Sequence, residues 1–294
     1  MRPSGPIKSA IDVLAAPDDR AARPRKELTL RVLSACIFVP VVLFLVWRGG
    51  LALLLLVLGV IGRGSWEFYH LVAQAGHRPV RPVGMVAAVG LGVWIYFCGD
   101  SHLLSALAVV VLLCLVAALR QGVQGFSANA LLTLGGVLYT GLLGSAPLWI
   151  VRAAGPERGA EVQFLLVAII ACIWLTDTAA YAFGRLWGRR KLAPAISPGK
   201  TVVGFIGGLG GGLVPFALHG LLPSFSTAQL AGLFLLVALG GQLGDLVESA
   251  IKRDVGAKDA PVLIPGHGGV LDRFDSYFFA FPLAYLYVEI FGIF

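Results

Sequence analysis

The chain has 294 residues and a net charge of +7; 57% of its residues are hydrophobic, 13% are charged, and the mean hydropathy is +0.85. Because a soluble domain carries roughly 25% charged residues, this composition excludes a soluble globular protein, and it also excludes disordered, collagen-like, coiled-coil and disulfide-stapled chains. The excess of basic residues does not indicate nucleic acid, which is not expected as a partner, because in a membrane protein lysine and arginine report orientation first.

Nine apolar segments are long enough to cross the bilayer as helices, so we predict an all-α, polytopic membrane protein with about nine transmembrane helices. The second segment contains Arg63 and Glu67, and it either spans the bilayer or ends early and continues as an interfacial helix. Residues 1–26 are expected to form a disordered basic tail, followed by N-terminal transmembrane helices in 27–160 and C-terminal ones in 161–294. The predicted segments are 30–47, 50–68, 83–98, 102–119, 130–151, 162–183, 201–221, 228–247 and 275–293.

The basic residues predict the orientation of these segments, because cytoplasmic loops carry an excess of lysine and arginine. With nine spans and a cytoplasmic N-terminus, twenty of the 23 basic residues fall on the cytoplasmic side, and only Arg48, Arg152 and Arg158 fall outside. The loops 184–200 and 248–276 then face the cytoplasm, and both are rich in charges of either sign. The compact length favours a bacterial inner membrane, with an organellar membrane as the alternative.

A group of polar residues lies at the C-terminal end of the eighth segment. On a helix, Asp245, Glu248, Ser249 and Lys252 share one face. Because a carboxylate near the membrane is costly unless it is paired, metal-bound or turned to water, two interpretations stand. The acids pair locally with Lys252 and Arg253, or they hold a ligand.

Segment 249–276 alternates basic and acidic residues around a glycine-rich turn at 265–269, and glycines let backbone N–H groups approach an anion closely. Asp245 and Asp272 come from different segments, which suits two carboxylates that share one divalent cation. Hard oxygen ligands without thiolates favour Mg²⁺. The pattern indicates a phosphate-handling site, with a solvated loop as the alternative. The lone His267 is either structural, a substrate contact or an acid–base group.

A second basic segment ends in Gly199-Lys200-Thr201, which imitates the end of a nucleotide-binding P-loop. The first glycine of that motif would stand at position 194, which is Pro194, so the P-loop interpretation fails. Phosphate binding by Ser197, Lys200 and Thr201 ahead of a helix start remains a sound prediction.

The glycines of the seventh segment follow a four-residue spacing that favours close helix packing rather than nucleotide binding. They are Gly204, Gly208 and Gly212.

Segment 249–276 closely resembles the signature of phosphatidate cytidylyltransferases, the CDP-diacylglycerol synthases: S-x-x-K-R, four residues, K-D, and then P-x-H-G-G-x-x-D-R-x-D. The chain departs from the family pattern at Pro261, where a small residue is usual, and at Val202 and Val203, where an aromatic residue and then Glu or Gln are usual. Further family segments are 177–185, 191–201 and 244–249, with weaker ones at 31–35 and 66–67.

The resemblance implies a reaction in which CTP and phosphatidic acid give CDP-diacylglycerol and pyrophosphate, with membrane lipid around the enzyme and homodimer formation left open. It implies Mg²⁺ ligands at Asp245 and Asp272. The catalytic set is completed by Lys252, Arg253, Lys258 and Arg273. The expected substrate-binding residues are Asp177, Ser197, Lys200, Thr201, Glu248, Ser249, Asp259, His267, Gly268, Gly269 and Asp275.

Three other functions compete with this one. A CTP-dependent polyprenol or lipid-alcohol kinase would share the architecture and the nucleotide, but it would transfer the γ-phosphoryl group. A secondary transporter would use intramembrane acids and glycine-broken helices near the midplane. A catalytically silent lipid-binding homologue is suggested by Val203 and Pro261.

Overall fold

The computed structural model describes residues 23–257 and 269–294, with side chains from Cys36 onward. The described chain is mostly helical. A π-helical turn at Val137–Leu142 and a 3-10 turn at Leu143–Ser145 join α5 to α6, and further 3-10 turns lie at Pro156–Arg158 and Val214–Leu221. The α-helices are α1 Arg23–Arg48, α2 Gly50–Gln74, α3 Arg81–Cys98, α4 Leu103–Leu119, α5 Phe126–Gly136, α6 Ala146–Ala154, α7 Gly159–Trp187, α8 Val202–Gly212, α9 Thr227–Asp254, α10 Leu271–Phe274 and α11 Tyr277–Ile290.

Helices lie at all nine predicted segments, and among the described residues six helical runs are long and apolar enough to cross a membrane. This confirms a polytopic membrane protein. Two shorter apolar helices, Cys36–Arg48 and Leu103–Leu119, accompany them. The six runs are Gly50–Gln74, Arg81–Cys98, Phe126–Ala154, Pro156–Trp187, Val202–Leu221 and Thr227–Asp254.

Helix α2 continues unbroken to Gln74, and its residues Phe68 and Tyr69 are buried inside the protein, which favours a single long span over an interfacial continuation. An ion pair one helical turn long, from Arg63 Nε to Glu67 Oε1 at 2.7 Å, lets the helix carry both charges. The expected disordered tail is wrong for residues 23–26, which begin α1, while residues 1–22 lie outside the described part.

The all-α prediction needs one correction, a short antiparallel hairpin between α7 and α8. Strand β1, Lys191–Ala193, pairs with β2, Ser197–Thr201, so that Lys191 lies opposite Thr201. Pro194 and Pro198 cannot donate a backbone hydrogen bond, which disfavours helix here.

Helix α8 packs closely on α7, as its glycine spacing predicts. A Cβ atom at Gly204 would lie 2.7 Å from the carbonyl oxygen of Ala180, and one at Gly208 would lie 3.1 Å from the Cβ of Ala180. A Cβ atom at Gly212 would lie 2.5 Å from the Cβ of Ala238 on α9. Glycine at these positions therefore sets the distance between the three helices.

This packing makes a testable contrast within one helix. Gly212→Ala is expected to destabilise the fold by about 1–3 kcal/mol, the usual cost of overpacking. Gly210→Ala meets nothing within 4 Å and should be neutral or slightly stabilising, because alanine favours helix by about 1 kcal/mol over glycine. Thermal unfolding in detergent compares the two variants, and equal melting temperatures would contradict the packing role.

The loops gather at two opposite ends of the helix bundle. At one end, the Arg152 guanidinium donates to the carbonyl of Tyr96 at 2.8 Å, and the Arg158 guanidinium donates to the carbonyl of Ile293 at 2.9 Å. Glu161, in the first turn of α7, accepts a hydrogen bond from the Ser224 backbone N–H at 2.8 Å. The other end holds the hairpin and the last turns of α7 and α9.

Candidate active site

Helix α9 carries the largest set of candidate residues. It begins with a capping box in which the Ser226 hydroxyl accepts the Gln229 N–H and the Gln229 side chain accepts the Ser226 N–H. Near its end, the Ser249 hydroxyl donates to Asp245 Oδ1 at 3.3 Å, and Lys252 Nζ donates to Glu248 Oε2 at 2.8 Å. The predicted shared face is confirmed.

The ion-pair partner of Asp245 comes from outside its own helix. Lys200, in β2, places its Nζ 2.7 Å from Asp245 Oδ2 and 3.5 Å from the carbonyl oxygen of Gln242. The next residue, Thr201, caps α8, because its hydroxyl oxygen accepts the Gly204 N–H at 3.1 Å. The hairpin is therefore joined to both α8 and α9. The predicted local pairing is confirmed for Glu248 with Lys252, but it is wrong for Asp245, which pairs with Lys200.

Lys252 bridges two acidic residues. Its Nζ lies 2.8 Å from Glu248 Oε2 and 2.7 Å from Asp272 Oδ1, and the three side chains are 12%, 1% and 18% exposed, respectively. The second oxygen of Glu248, Oε1, is buried and has no hydrogen-bond partner among the described residues. One oxygen of the buried Glu248 carboxyl therefore faces Lys252, and the other has no partner among the described residues.

Asp272 belongs to the short helix α10, and its Oδ2 accepts the Gly269 N–H at 3.3 Å. Burial alone would raise the pKa of the Asp272 carboxyl, but hydrogen bonding with the Glu248 and Lys252 side chains, the charge of Lys252 and the Gly269 N–H hold that pKa below its usual value. Asp272 is therefore an ionised carboxylate at neutral pH.

A cavity of about 510 Å³ opens beside the Lys200–Asp245 pair, between α7, the hairpin, α8 and α9. This volume suits a small-molecule ligand, since such pockets span about 300–1,000 Å³. Asp177 lines the cavity, as do basic residues that sequence reasoning did not place in a site. The charged and hydroxyl-bearing lining includes Asp177, Tyr181, Arg185, Lys191, Lys200 and Asp245, and Arg185 donates to the Tyr181 hydroxyl at 2.8 Å.

Asp275 follows α10, and its carboxyl is close enough to the carboxylates of Asp245 and Asp177 to be affected by their negative charges. Its Oδ1 accepts the Ser276 N–H at 2.6 Å. A Cβ atom at Gly244 would lie 2.5 Å from the Asp275 carbonyl oxygen. The glycine before Asp245 therefore allows α9 to approach the chain at Asp275.

The remaining candidates have less direct positions. The Arg253 guanidinium donates to the carbonyls of Ile196 and Ala257, at 3.3 and 3.2 Å, and so ties the end of α9 to the hairpin. Arg273 is exposed on α10, and Ser197 is half-buried at the start of β2. Lys258, Asp259, Pro261, His267 and Gly268 lie outside the described residues.

Glu67, which was not among the predicted site residues, lies against the segment that begins α10. The Glu67 carboxylate accepts the backbone N–H groups of Val270 and Leu271, at 3.0 and 2.6 Å. The signals for it were an acid inside an apolar segment, with Arg63 four residues earlier, and the weak family dipeptide at 66–67.

The described residues contain no group of three or more His, Cys, Asp or Glu side chains arranged to hold a metal. The carboxylates of the site instead alternate with lysines, in the two pairs Lys200–Asp245 and Lys252–Asp272. Such an arrangement can bind a polyanion through its cations, and it leaves oxygen ligands for a hard cation.

These features define a polytopic membrane protein with a charged, cavity-bearing site at one end of its helix bundle. The sequence model of the cytidylyltransferase family matches residues 29–291, and the chain belongs to this family.

Relatives agree with the family resemblance. The chain is 35% identical to the phosphatidate cytidylyltransferase of Staphylococcus aureus (strain COL) over 269 residues, which cover 87% of this chain and 97% of the relative. It is also 35% identical to the Staphylococcus saprophyticus protein of the same name, with the same coverage of 87% and 97%. A Staphylococcus epidermidis protein of that name is 48% identical over 128 residues, or 43% of this chain and 49% of the relative.

Proposed function

We propose that the chain is a phosphatidate cytidylyltransferase that condenses CTP with phosphatidic acid and releases diphosphate. The observation that carries this proposal is that two ion pairs, Lys200–Asp245 and Lys252–Asp272, lie near the end of α9 at one end of a membrane helix bundle. Family membership and the similarity to relatives of that name support it.

The proposed reaction requires neutralisation of the negative charges on the two substrates more than it requires a general base. A phosphate oxygen of the lipid forms a bond to the α-phosphorus of CTP, and the bond from that phosphorus to the bridging oxygen of the β-phosphate breaks. The attacking phosphate monoester is already anionic, so it needs no strong general base. Two anions must be brought together. Lys200, which lines the cavity, and Lys252, further along α9, supply positive charge.

Mg²⁺ is part of the proposal. Asp245 and Asp272 would hold the ion, and Glu248 Oε1, which has no hydrogen-bond partner among the described residues, could serve as a further oxygen ligand. These residues fit Mg²⁺, which is usually bound by one or two carboxylates and completes its shell with water and substrate phosphates. When bound, the ion supplies further charge neutralisation to the phosphoryl oxygens.

The proposed topology has nine spans and a cytoplasmic N-terminus, in a bacterial inner membrane, with the site facing the cytoplasm. Arg152 and Arg158, which the sequence analysis assigns to the outside, lie at the end opposite the site, and this supports the alternation. Phosphatidic acid would then reach the site from the membrane and CTP from the cytosol. A homodimer is compatible with this proposal and plays no part in it.

Isotope position tests the proposed reaction. Purified protein in detergent micelles receives phosphatidic acid, Mg²⁺ and CTP that is labelled at either the α- or the γ-phosphate. We expect α-label to enter the lipid fraction, γ-label to stay out of it, and EDTA to reduce transfer to background. Label that enters from the γ-position would indicate a lipid kinase. Absence of transfer, while a family relative assayed alongside is active, would contradict the proposal.

A further inference from the structure

We infer that Glu67 is a positioning residue for the reaction: its carboxylate on α2 fixes the first turn of α10 and thereby places Asp272. The hydrogen-bond partners of Glu67 among the described residues, Arg63, Val270 and Leu271, do not line the cavity, so Glu67 acts through α10. This inference rests on the proposed function, because it takes Asp272 as a participant in cytidylyl transfer.

The contact is specific in geometry. Glu67 is fully buried, and its two carboxylate oxygens accept different backbone donors: Oε1 accepts the Val270 N–H at 3.0 Å and Oε2 accepts the Leu271 N–H at 2.6 Å. Because the first N–H groups of a helix have no partner within the helix, a carboxylate that accepts two of them determines where the helix begins. Asp272 is the next residue.

The charge of Glu67 is balanced locally. The Arg63 Nε donates to Glu67 Oε1 at 2.7 Å, and the Arg63 guanidinium carbon lies 4.1 Å from the centre of the Trp66 ring. The Trp66 ring in turn stacks on His70. The carboxylate is thus held by contacts within its own helix as well as by the two N–H groups of the α10 segment.

Apolar packing accompanies this anchor without replacing it. Leu271 and Phe274 pack into a buried cluster with Phe68 and Phe278. Such contacts tolerate sliding, whereas two hydrogen bonds to one carboxylate set a single register. A displacement of about 1 Å at a reacting group can cost roughly 100-fold in rate, so the register of α10 matters for Asp272 and for Lys252, which binds it.

The test compares Glu67→Gln with a matched control, Glu161→Gln. Glu161 also accepts a backbone N–H across the fold, that of Ser224, but it lies sixteen residues before Asp177 on α7, which is about 24 Å along the helix. Three quantities are measured for each variant in detergent: the melting temperature, kcat and KM for CTP, and hydrogen–deuterium exchange of the peptide that covers residues 269–276.

In Glu67→Gln we expect exchange at Val270 and Leu271 to accelerate by about tenfold or more, because a hydrogen bond to a charged group is lost. We expect kcat to fall by about 10- to 100-fold, with a smaller change in KM for CTP, because no residue of α10 lines the cavity. Glu161→Gln should leave exchange at 269–276 and kcat unchanged. If Glu67→Gln does not fold, Glu67→Asp, whose shorter side chain cannot span both N–H groups, replaces it.

A folded Glu67→Gln variant with unchanged kcat would overturn the inference, whether or not exchange at 269–276 is faster. Glu67 would then be a purely structural cap. A wild-type protein that transfers no α-label would instead contradict the proposed function, and the exchange data would still report on the anchor. The two failures are therefore distinguishable.

Discussion

Replacing Lys252 by methionine is expected to abolish cytidylyl transfer and to destabilise the protein strongly. Lys252 neutralises Glu248, which is almost fully buried, and Asp272 at the same time. Removing one partner of a buried ion pair typically costs about 3–5 kcal/mol, because an uncompensated charge stays behind. The melting temperature in detergent should therefore fall by about 10 °C or more, and α-label transfer should fall by about 1,000-fold or more, as the site also loses a cation beside the reacting phosphates.

The double variant Lys252→Met/Glu248→Gln separates the two effects. It removes one of the two stranded charges, so part of the lost stability should return while transfer stays at background. Recovery of transfer together with stability would show that Lys252 serves only the fold. A normal melting temperature in Lys252→Met would contradict the bridging geometry itself.

Asp245→Asn is expected to give the opposite balance, a large loss of activity with little loss of stability. The Asp245 side chain is 36% exposed, and its pair with Lys200 bridges two segments at the edge of the cavity. Ion pairs at this exposure contribute about 0–1 kcal/mol, so the melting temperature should change by only a few degrees. As a proposed Mg²⁺ ligand, however, Asp245 cannot be replaced by a neutral amide, and transfer should fall by about 100-fold or more.

Asp100→Asn is the matched control for this variant. Asp100 is exposed at the other end of the molecule, where its carboxylate accepts the Tyr285 hydroxyl at 3.3 Å. Its loss should affect neither transfer nor the Mg²⁺ concentration that gives half-maximal rate. Equal activity of Asp245→Asn and Asp100→Asn would remove Asp245 from the proposed site.

The positions of the helices could be predicted from sequence because apolar length is a local property of the chain. The hairpin could not, because strands of three and five residues are too short for an alternating pattern to stand out in a basic, proline-containing segment. The end of the α-helix in the seventh segment after Gly212 could again be predicted from the local sequence, because Pro215 cannot continue the α-helix.

The site likewise has features that the sequence predicts and features that it does not. The common face of Asp245, Ser249 and Lys252 follows from helical spacing alone. The pairing of Lys200 with Asp245 depends on how the hairpin meets α9, and no periodicity within one segment reports that. Glu67 was missed for the same reason, since its partners lie more than 200 positions away in the sequence.

This separation in sequence has a consequence for synthesis. The hydrogen bond from Leu271 to Glu67 joins residues that are 204 positions apart. At about 5–20 residues per second, roughly 10–40 s pass between the translation of one and of the other. Through that interval a carboxylate in a membrane helix lacks its final donors, a costly state without a counter-charge. Arg63, one turn earlier on the same helix, is made first and pairs with Glu67 as soon as α2 forms. The ion pair is therefore a counter-charge that needs no residue of α10.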